Sequence, residues 1–158
     1  MSKLSDKVNE YLKKGNFRPH QQGTDILELS GISGSNIHGF IVQIIGKDTE
    51  KNKFSCLLIV AKFPIKIPPN KRERIQCFFN ELNRDMWYTY LLIDMETGDV
   101  TCTTSNISNS DDAWNESFID PILFLPLNRL DGLTHYIMEL LYSEKTVYEI
   151  LQKMYEQK

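Results

Sequence analysis

Residues 53–104 read KFSCLLIVAKFPIKIPPNKRERIQCFFNELNRDMWYTYLLIDMETGDVTCTT. An apolar run opens the stretch, and the prolines from Pro64 to Pro69 interrupt it. A charged segment with helical spacing follows, and an aromatic run then leads through a turn at Gly98 into a short strand. Because the apolar period changes from strand to helix and back to strand, the stretch predicts an α+β fold with an antiparallel sheet.

The residues before this stretch predict a helix and two further strands. Apolar residues on one helical face predict a helix over residues 2–14. Alternating apolar residues predict strands at 25–29 and 38–45, separated by a turn. Residues 54–63 are apolar on both faces, which is typical of a strand in the middle of a sheet that is covered on both sides.

The later part of the chain predicts helices around a short hairpin. Asn70 is the expected N-cap of a helix that runs to about Arg84, and strands are expected at 87–94 and 99–104. Residues 105–117 are rich in Ser, Asn and Asp, which predicts a surface loop. Helical spacing returns after Pro126 and breaks near Ser143. The 158 residues fit a single domain of about five strands with N-terminal, central and C-terminal helices.

The bulk composition argues against nucleic acid and membrane as partners. The net charge is -3 and the pI is about 5.6, whereas nucleic-acid binding needs a concentrated positive face. The first residues lack the apolar core of a signal peptide. The longest apolar run, residues 57–61, is far shorter than the ~20 residues that cross a bilayer. We therefore expect a soluble, cytoplasmic protein.

The residue types that usually carry chemistry are scattered along the chain. The number of cysteines is odd and no CxxC spacing occurs, so we expect no disulfide framework. The histidines share no metal-ligand spacing, so we expect no metal site. These residues are Cys56, Cys77, Cys102, His20, His38 and His135.

Other patterns that resemble functional motifs have simpler interpretations. Residues 31–39 contain three glycines but lack the lysine and the following helix of a phosphate loop, so we interpret them as a turn between strands. No Gly-x-Ser-x-Gly elbow occurs, and Asp94, Glu96 and Asp99 flank a turn. The helical half of the basic cluster at 62–74 alternates with Glu73 and Glu81, as expected for a solvated helix face. We predict a protein that is not an enzyme and has no cofactor.

The order of elements resembles the YbjN-like family, whose fold is shared with type III secretion chaperones. The matching landmarks are the strand and proline stop at 54–68, the Phe-Asn-Glu-Leu-Asn segment at 79–83, and the hairpin at 91–100. The resemblance implies a twisted antiparallel sheet with helices packed on one side, commonly assembled as a homodimer. It also implies partner binding or regulation, and it brings no catalytic residues.

The apolar pattern on both faces of the central strands predicts a binding surface. Helices cover one face of such a sheet, and the second face needs the C-terminal helix, a dimer partner or a client segment. The residue types enriched at protein contacts are Tyr, Trp and other aromatics. We predict that Phe79, Trp87, Tyr88 and Tyr90 contribute to capturing a protein or peptide partner, with backbone pairing at a sheet edge.

Two other classes of function fit the same sequence. In the first, the protein is a sensory or regulatory subunit that acts through the acidic segment 106–116 rather than by holding a client. In the second, it is an enzyme of unrecognised type, which requires a pocket with convergent polar groups and perturbed pKa values.

Overall fold

One antiparallel sheet organises the protein. The structure is a computed structural model that describes residues 3–49, 54–109 and 114–157. The strands of these residues are β1 (His20–Gln21), β2 (Ile26–Ser33), β3 (His38–Thr49), β4 (Phe54–Lys62), β5 (Tyr90–Ile93) and β6 (Val100–Ser108). The helices are α1 (Lys3–Lys14), α2 (Arg72–Arg84), α3 (Glu116–Leu123), α4 (Leu125–Tyr142) and α5 (Val147–Glu156), with a 3-10 turn at Pro69–Lys71.

The strand order is β1-β2-β3-β4-β6-β5, and every neighbouring pair is antiparallel. The proline-rich connection and α2 lead from β4 to β5, so β6 lies between these two strands. The predicted α+β fold with an antiparallel sheet is confirmed. The sheet has six strands rather than about five because the two-residue β1 adds to its edge.

The face of the sheet that meets the helices, here called the inner face, carries the core. Burial alternates along β4, where Leu57, Ile59 and Ala61 are fully buried and the residues between them are only partly buried. Leu4 of α1 packs against Gly46 of β3, and α4 packs against β4 and β6. Each large apolar side chain that is fully buried here stabilises the fold by about 1.5–3 kcal/mol.

The opposite face of the sheet, here called the outer face, meets no described helix. Its apolar members include Ile41, Ile45, Leu58 and Val60, and all four are partly exposed. The C-terminal helices, which we considered as a cover for this face, belong to the core on the inner face instead, since α4 buries Ile137 there. Helices on one side of the sheet are what the family resemblance implies.

The boundaries of several elements differ from the sequence-based predictions. The predicted strand at 87–94 is wrong at its start, because β5 begins only at Tyr90. The predicted loop at 105–117 is wrong at both ends, because β6 continues to Ser108 and Asn115 caps the unpredicted helix α3. Asn70 is not a helix cap and lies in the 3-10 turn. The predicted break at Ser143 is confirmed, since α4 ends there.

A buried carboxylate ties α4 to the hairpin between β2 and β3. Asp131 accepts hydrogen bonds from the backbone N–H groups of Ser35, Asn36 and Ile37 at 2.8, 3.0 and 3.2 Å. Gly34 leaves room for this contact, because a Cβ atom there would lie 2.2 Å from the carboxylate. The predicted turn is confirmed only for residues 34–37, because β2 continues to Ser33 and β3 begins at His38, and three backbone donors of this turn are occupied by a side chain of the same protein.

A second polar anchor joins α2 to the turn between β5 and β6. Arg72 donates hydrogen bonds to the backbone oxygens of Ile67, Met95 and Glu96 at 3.0, 2.9 and 2.7 Å. Gly98 sits beneath this guanidinium with φ +77°, and its carbonyl accepts from the N–H of Ile67 at 2.8 Å. The predicted turn at Gly98 is confirmed.

None of the helices in the described ranges combines the length and the apolar character that crossing a bilayer requires.

Candidate functional site

A groove lies between β6 and the segment that connects α2 to β5. Asn83 near the end of α2 holds the start of β5 through two 2.9 Å hydrogen bonds with the backbone of Leu91. The residues between Asn83 and Leu91 connect α2 to β5 on the surface, and they form one wall of a groove of about 240 Å³. The lining residues are Met86, Trp87, Tyr88, Thr89, Tyr90, Thr103, Thr104, Ser105 and Asn106.

The aromatic residues predicted to bind a partner divide into two groups. Trp87, Tyr88 and Tyr90 line the groove and are 91%, 79% and 50% exposed. Phe79 is 1% exposed and packs beside Phe78 in the core. The prediction that Phe79 contributes to a partner surface is therefore wrong, because its position on α2 points it at the sheet.

Aromatic rings and uncharged polar groups line the groove. No charged side chain lines it, and its polar groups are the hydroxyls of Thr and Ser together with the Asn106 amide. The Asn106 Nδ2 atom is buried and meets no hydrogen-bond acceptor among the described residues. The nearby thiol of Cys102 is a poor nucleophile because burial raises its pKa to about 12. Aromatic rings beside one buried amide group without an acceptor are features that a polypeptide ligand could match.

The histidines lie on three different elements of the fold. His20 and His38 are exposed on β1 and β3, and His135 is exposed on α4, where its ring lies against Tyr136. In the parts of the chain that the structure describes, no group of three or more His, Cys, Asp or Glu residues is arranged to hold a metal ion.

The predicted basic patch is divided between several contacts. Arg72 serves the turn described above, and Arg74 donates to the carbonyl of Ser143 at 3.1 Å. Lys66 forms a 3.2 Å ion pair with Asp99. Two of these three cations therefore bond to backbone carbonyls and hold parts of the fold together, which the interpretation as a solvated surface did not anticipate.

The acidic segment 106–116, predicted as a sensor, is not one continuous loop. Asn106 and Ile107 belong to β6, and Glu116 begins α3 and forms a 3.1 Å ion pair with Lys14 of α1. Residues 110–113 lie outside the described residues.

Sequence reasoning missed that β6 extends past its pairing with β5. The alternating β-branched residues Thr101, Thr103 and Ile107 are a signal for a longer strand, but the surrounding Ser and Asn residues favoured a loop. The extension matters because it creates the second wall of the groove.

Comparison with known proteins supports the fold. No protein-family model matches the chain, and no curated protein matches it in sequence. Among solved structures, the chain is similar to the crystal structure of YbjN from E. coli, a proposed transcription regulator, with a TM-score of 0.51 and 12% sequence identity. The match covers 82% of this chain and 92% of that one. The YbjN-like resemblance is thus confirmed at the level of the fold, which is all that this identity shows.

Proposed function

We propose that this protein is a non-catalytic, chaperone-like or regulatory binding domain that captures a protein or peptide partner. The observation that carries the proposal is the exposure of Trp87, Tyr88 and Tyr90 side by side along an uncharged groove. Large exposed aromatic rings in one patch are unfavourable in water and are enriched where proteins bind each other.

The outer face of the sheet extends this surface. Tyr90 pairs across the sheet with Thr103, and Thr103 with Val60, so the aromatic patch continues into partly exposed aliphatic residues. Burying an aromatic anchor in such an interface often contributes about 2 kcal/mol or more to affinity. The proposed role of YbjN in transcription regulation is compatible with a regulatory binding domain. In this proposal the domain acts in the cytoplasm as a homodimer.

The double variant Tyr88→Ser and Tyr90→Ser is expected to bind its partner at least about tenfold more weakly while it stays folded. Both rings are at least half exposed, so their loss removes contact area without opening the core. Affinity capture from the native lysate with mass spectrometry identifies the partner, light scattering gives the mass of the bait, and titration with the purified partner gives the affinity.

A matched control removes two other exposed tyrosines. Tyr142 and Tyr148 are 79% and 75% exposed near the junction of α4 and α5. The variant Tyr142→Ser with Tyr148→Ser should retain the partner. Equal binding by both double variants would contradict the proposal, and unfolding of the Tyr88 and Tyr90 variant would show that these rings support the fold.

A further inference from the structure

The second half of β6 has a neighbouring strand on one side only. β4 pairs with β6 along the whole range from Thr101 to Ser108. β5 pairs only with Val100 to Thr103, because it begins at Tyr90 opposite Thr103. Beyond Thr103, the edge of β6 that faces away from β4 is therefore open within the described part of the chain.

The hydrogen bonds around β6 show which backbone groups face this open edge. The carbonyl of Val100 accepts a 2.9 Å hydrogen bond from the N–H of Phe63, the residue that follows β4, so Val100 faces the β4 side. The carbonyl of Asp99 accepts a 2.9 Å hydrogen bond from the N–H of Asp94, the residue that follows β5, so Asp99 faces the β5 side. Successive residues of a strand point their backbone groups to opposite sides, so the odd-numbered residues face the β5 side. Ser105 and Ile107 consequently direct N–H and C=O into the open edge, and these four groups have no hydrogen-bond partner among the described residues.

Two other stretches of the sheet edge are protected. At the edge of β2, β1 pairs with Leu27 and Glu28, and the register is irregular from Ser30 to Ser33. On β5, the side chain of Asn83 takes both the N–H and the C=O of Leu91. Proteins usually blunt exposed edges in these ways, because an unprotected edge is a template for another strand. The edge at Ser105 and Ile107 has neither device.

We infer that the partner segment binds as an added β-strand, an extended uncharged peptide whose backbone pairs in antiparallel fashion with β6 at Ser105 and Ile107. The inference rests on the proposed function and specifies its ligand and binding mode. The added strand lies in line with β5, between β6 and the aromatic wall of the groove. Strand addition of this kind derives its affinity from main-chain hydrogen bonds and its selectivity from alternate side chains.

The register of β6 specifies the alternation in the peptide. Side chains opposite Ser105 and Ile107 extend the outer-face rows that contain Leu58 and Cys56, so aliphatic residues fit at these two positions. The peptide residue between them points to the inner side, beside Asn106 and the groove. Because the groove is lined by uncharged groups, a charged residue at this middle position would lose hydration without gaining a partner.

Amide hydrogen exchange tests the open edge directly. In the free protein we expect the N–H groups of Ser105 and Ile107 to exchange fast, and those of Thr104 and Asn106, which face β4, to be protected. The probe is an end-capped synthetic peptide that alternates valine and threonine, with a lysine at each terminus for solubility. Its addition should slow exchange at Ser105 and Ile107, and unchanged exchange at both amides would overturn the inference.

A proline substitution gives the matched test in the protein. Ser105→Pro removes the donor that faces the open edge and leaves the hydrogen bonds to β4, whereas Ser105→Thr keeps that donor. We expect Ser105→Pro to weaken binding of the probe, measured by fluorescence anisotropy, by roughly tenfold or more, and Ser105→Thr to stay within about twofold of the unsubstituted protein.

A second form of the probe keeps the experiment decisive if Ser105→Pro fails to fold. N-methylation of the central peptide amides preserves every side chain and removes the backbone donors, so it should abolish binding to the unsubstituted protein. Equal binding of the methylated and unmethylated probes would overturn strand addition. The proposed function is judged separately, because a partner lost on changing Tyr88 and Tyr90 but retained by Ser105→Pro supports capture on the aromatic surface without an added strand.

Discussion

Replacing Asp131 by alanine is expected to lower the free energy of unfolding by about 3 kcal/mol. Asp131 is 6% exposed, and its carboxylate accepts three backbone hydrogen bonds from the hairpin between β2 and β3. A hydrogen bond to a charged group contributes about 1.5–3 kcal/mol, and bonds that share one acceptor are not additive. Urea unfolding followed by tryptophan fluorescence measures the change.

The variant Asp131→Asn serves as the control for Asp131→Ala. Asparagine keeps an acceptor oxygen and nearly the same shape, so it should lose about half as much stability. A loss below about 1 kcal/mol in Asp131→Ala would show that the hairpin is held by packing alone.

Lowering the pH should weaken the contact between the Asp131 carboxylate and the hairpin. Burial of the Asp131 carboxyl opposes its ionisation, but the N–H groups of Asn36, Ser35 and Ile37 outweigh this effect and lower its pKa. Because the folded pKa lies below the unfolded value of about 3.9, the stabilisation is complete above that pH and is lost as the pH falls through the folded pKa. Stability measured from pH 7 downward should therefore fall more in the unsubstituted protein than in Asp131→Asn, and parallel curves would contradict this account.

Replacing Gly98 by valine is expected to cost about 4 kcal/mol, the largest effect of a single substitution that we predict. Its φ of +77° is strained for a residue with a side chain, and a Cβ atom there would lie 2.2 Å from the backbone oxygen of Ile67. The clash would move the chain away from Arg72, whose guanidinium joins the turn to α2. Thermal and urea unfolding both report the loss.

Gly132→Ala is the matched control for Gly98→Val. Gly132 lies within α4, and a Cβ atom there would meet nothing within 4 Å. Alanine at this position should raise the free energy of unfolding by about 0.5–1 kcal/mol, because glycine loses more backbone freedom in a helix. Destabilisation by both variants would show that the two sites do not differ as the structure indicates.

The sequence predicted those elements whose apolar pattern is long and regular. The stripe of Ile75, Phe78 and Leu82 indicated α2 because helical spacing places all three on one side, where they are buried. The apolar residues on both faces of β4 indicated a central strand, and β4 lies between β3 and β6. The predicted boundaries were wrong where the residue types fit more than one structure. The Ser and Asn residues of Ser105 to Ser108 predict a loop, but pairing with β4 makes this segment a strand.

The candidate site was predicted in part, for a similar reason. The aromatic types of Trp87, Tyr88 and Tyr90 pointed to a segment that is exposed and lines the groove, whereas Phe79 has the same apolar character and belongs to the core. Which rings face water depends on where α2 meets the sheet. The pairing of Asn83 with Leu91 decides this, since it sets the point at which β5 begins.

By itself, then, the sequence determined the class of fold, the order of its main elements and the aromatic character of the site, because apolar period and turn chemistry act over short stretches of chain. Only the tertiary structure decided that the C-terminal helices pack on the inner face and that β6 extends beyond its pairing with β5. Both depend on contacts between residues far apart in the chain, which local spacing does not encode. The open edge at Ser105 and Ile107 is a result of the second.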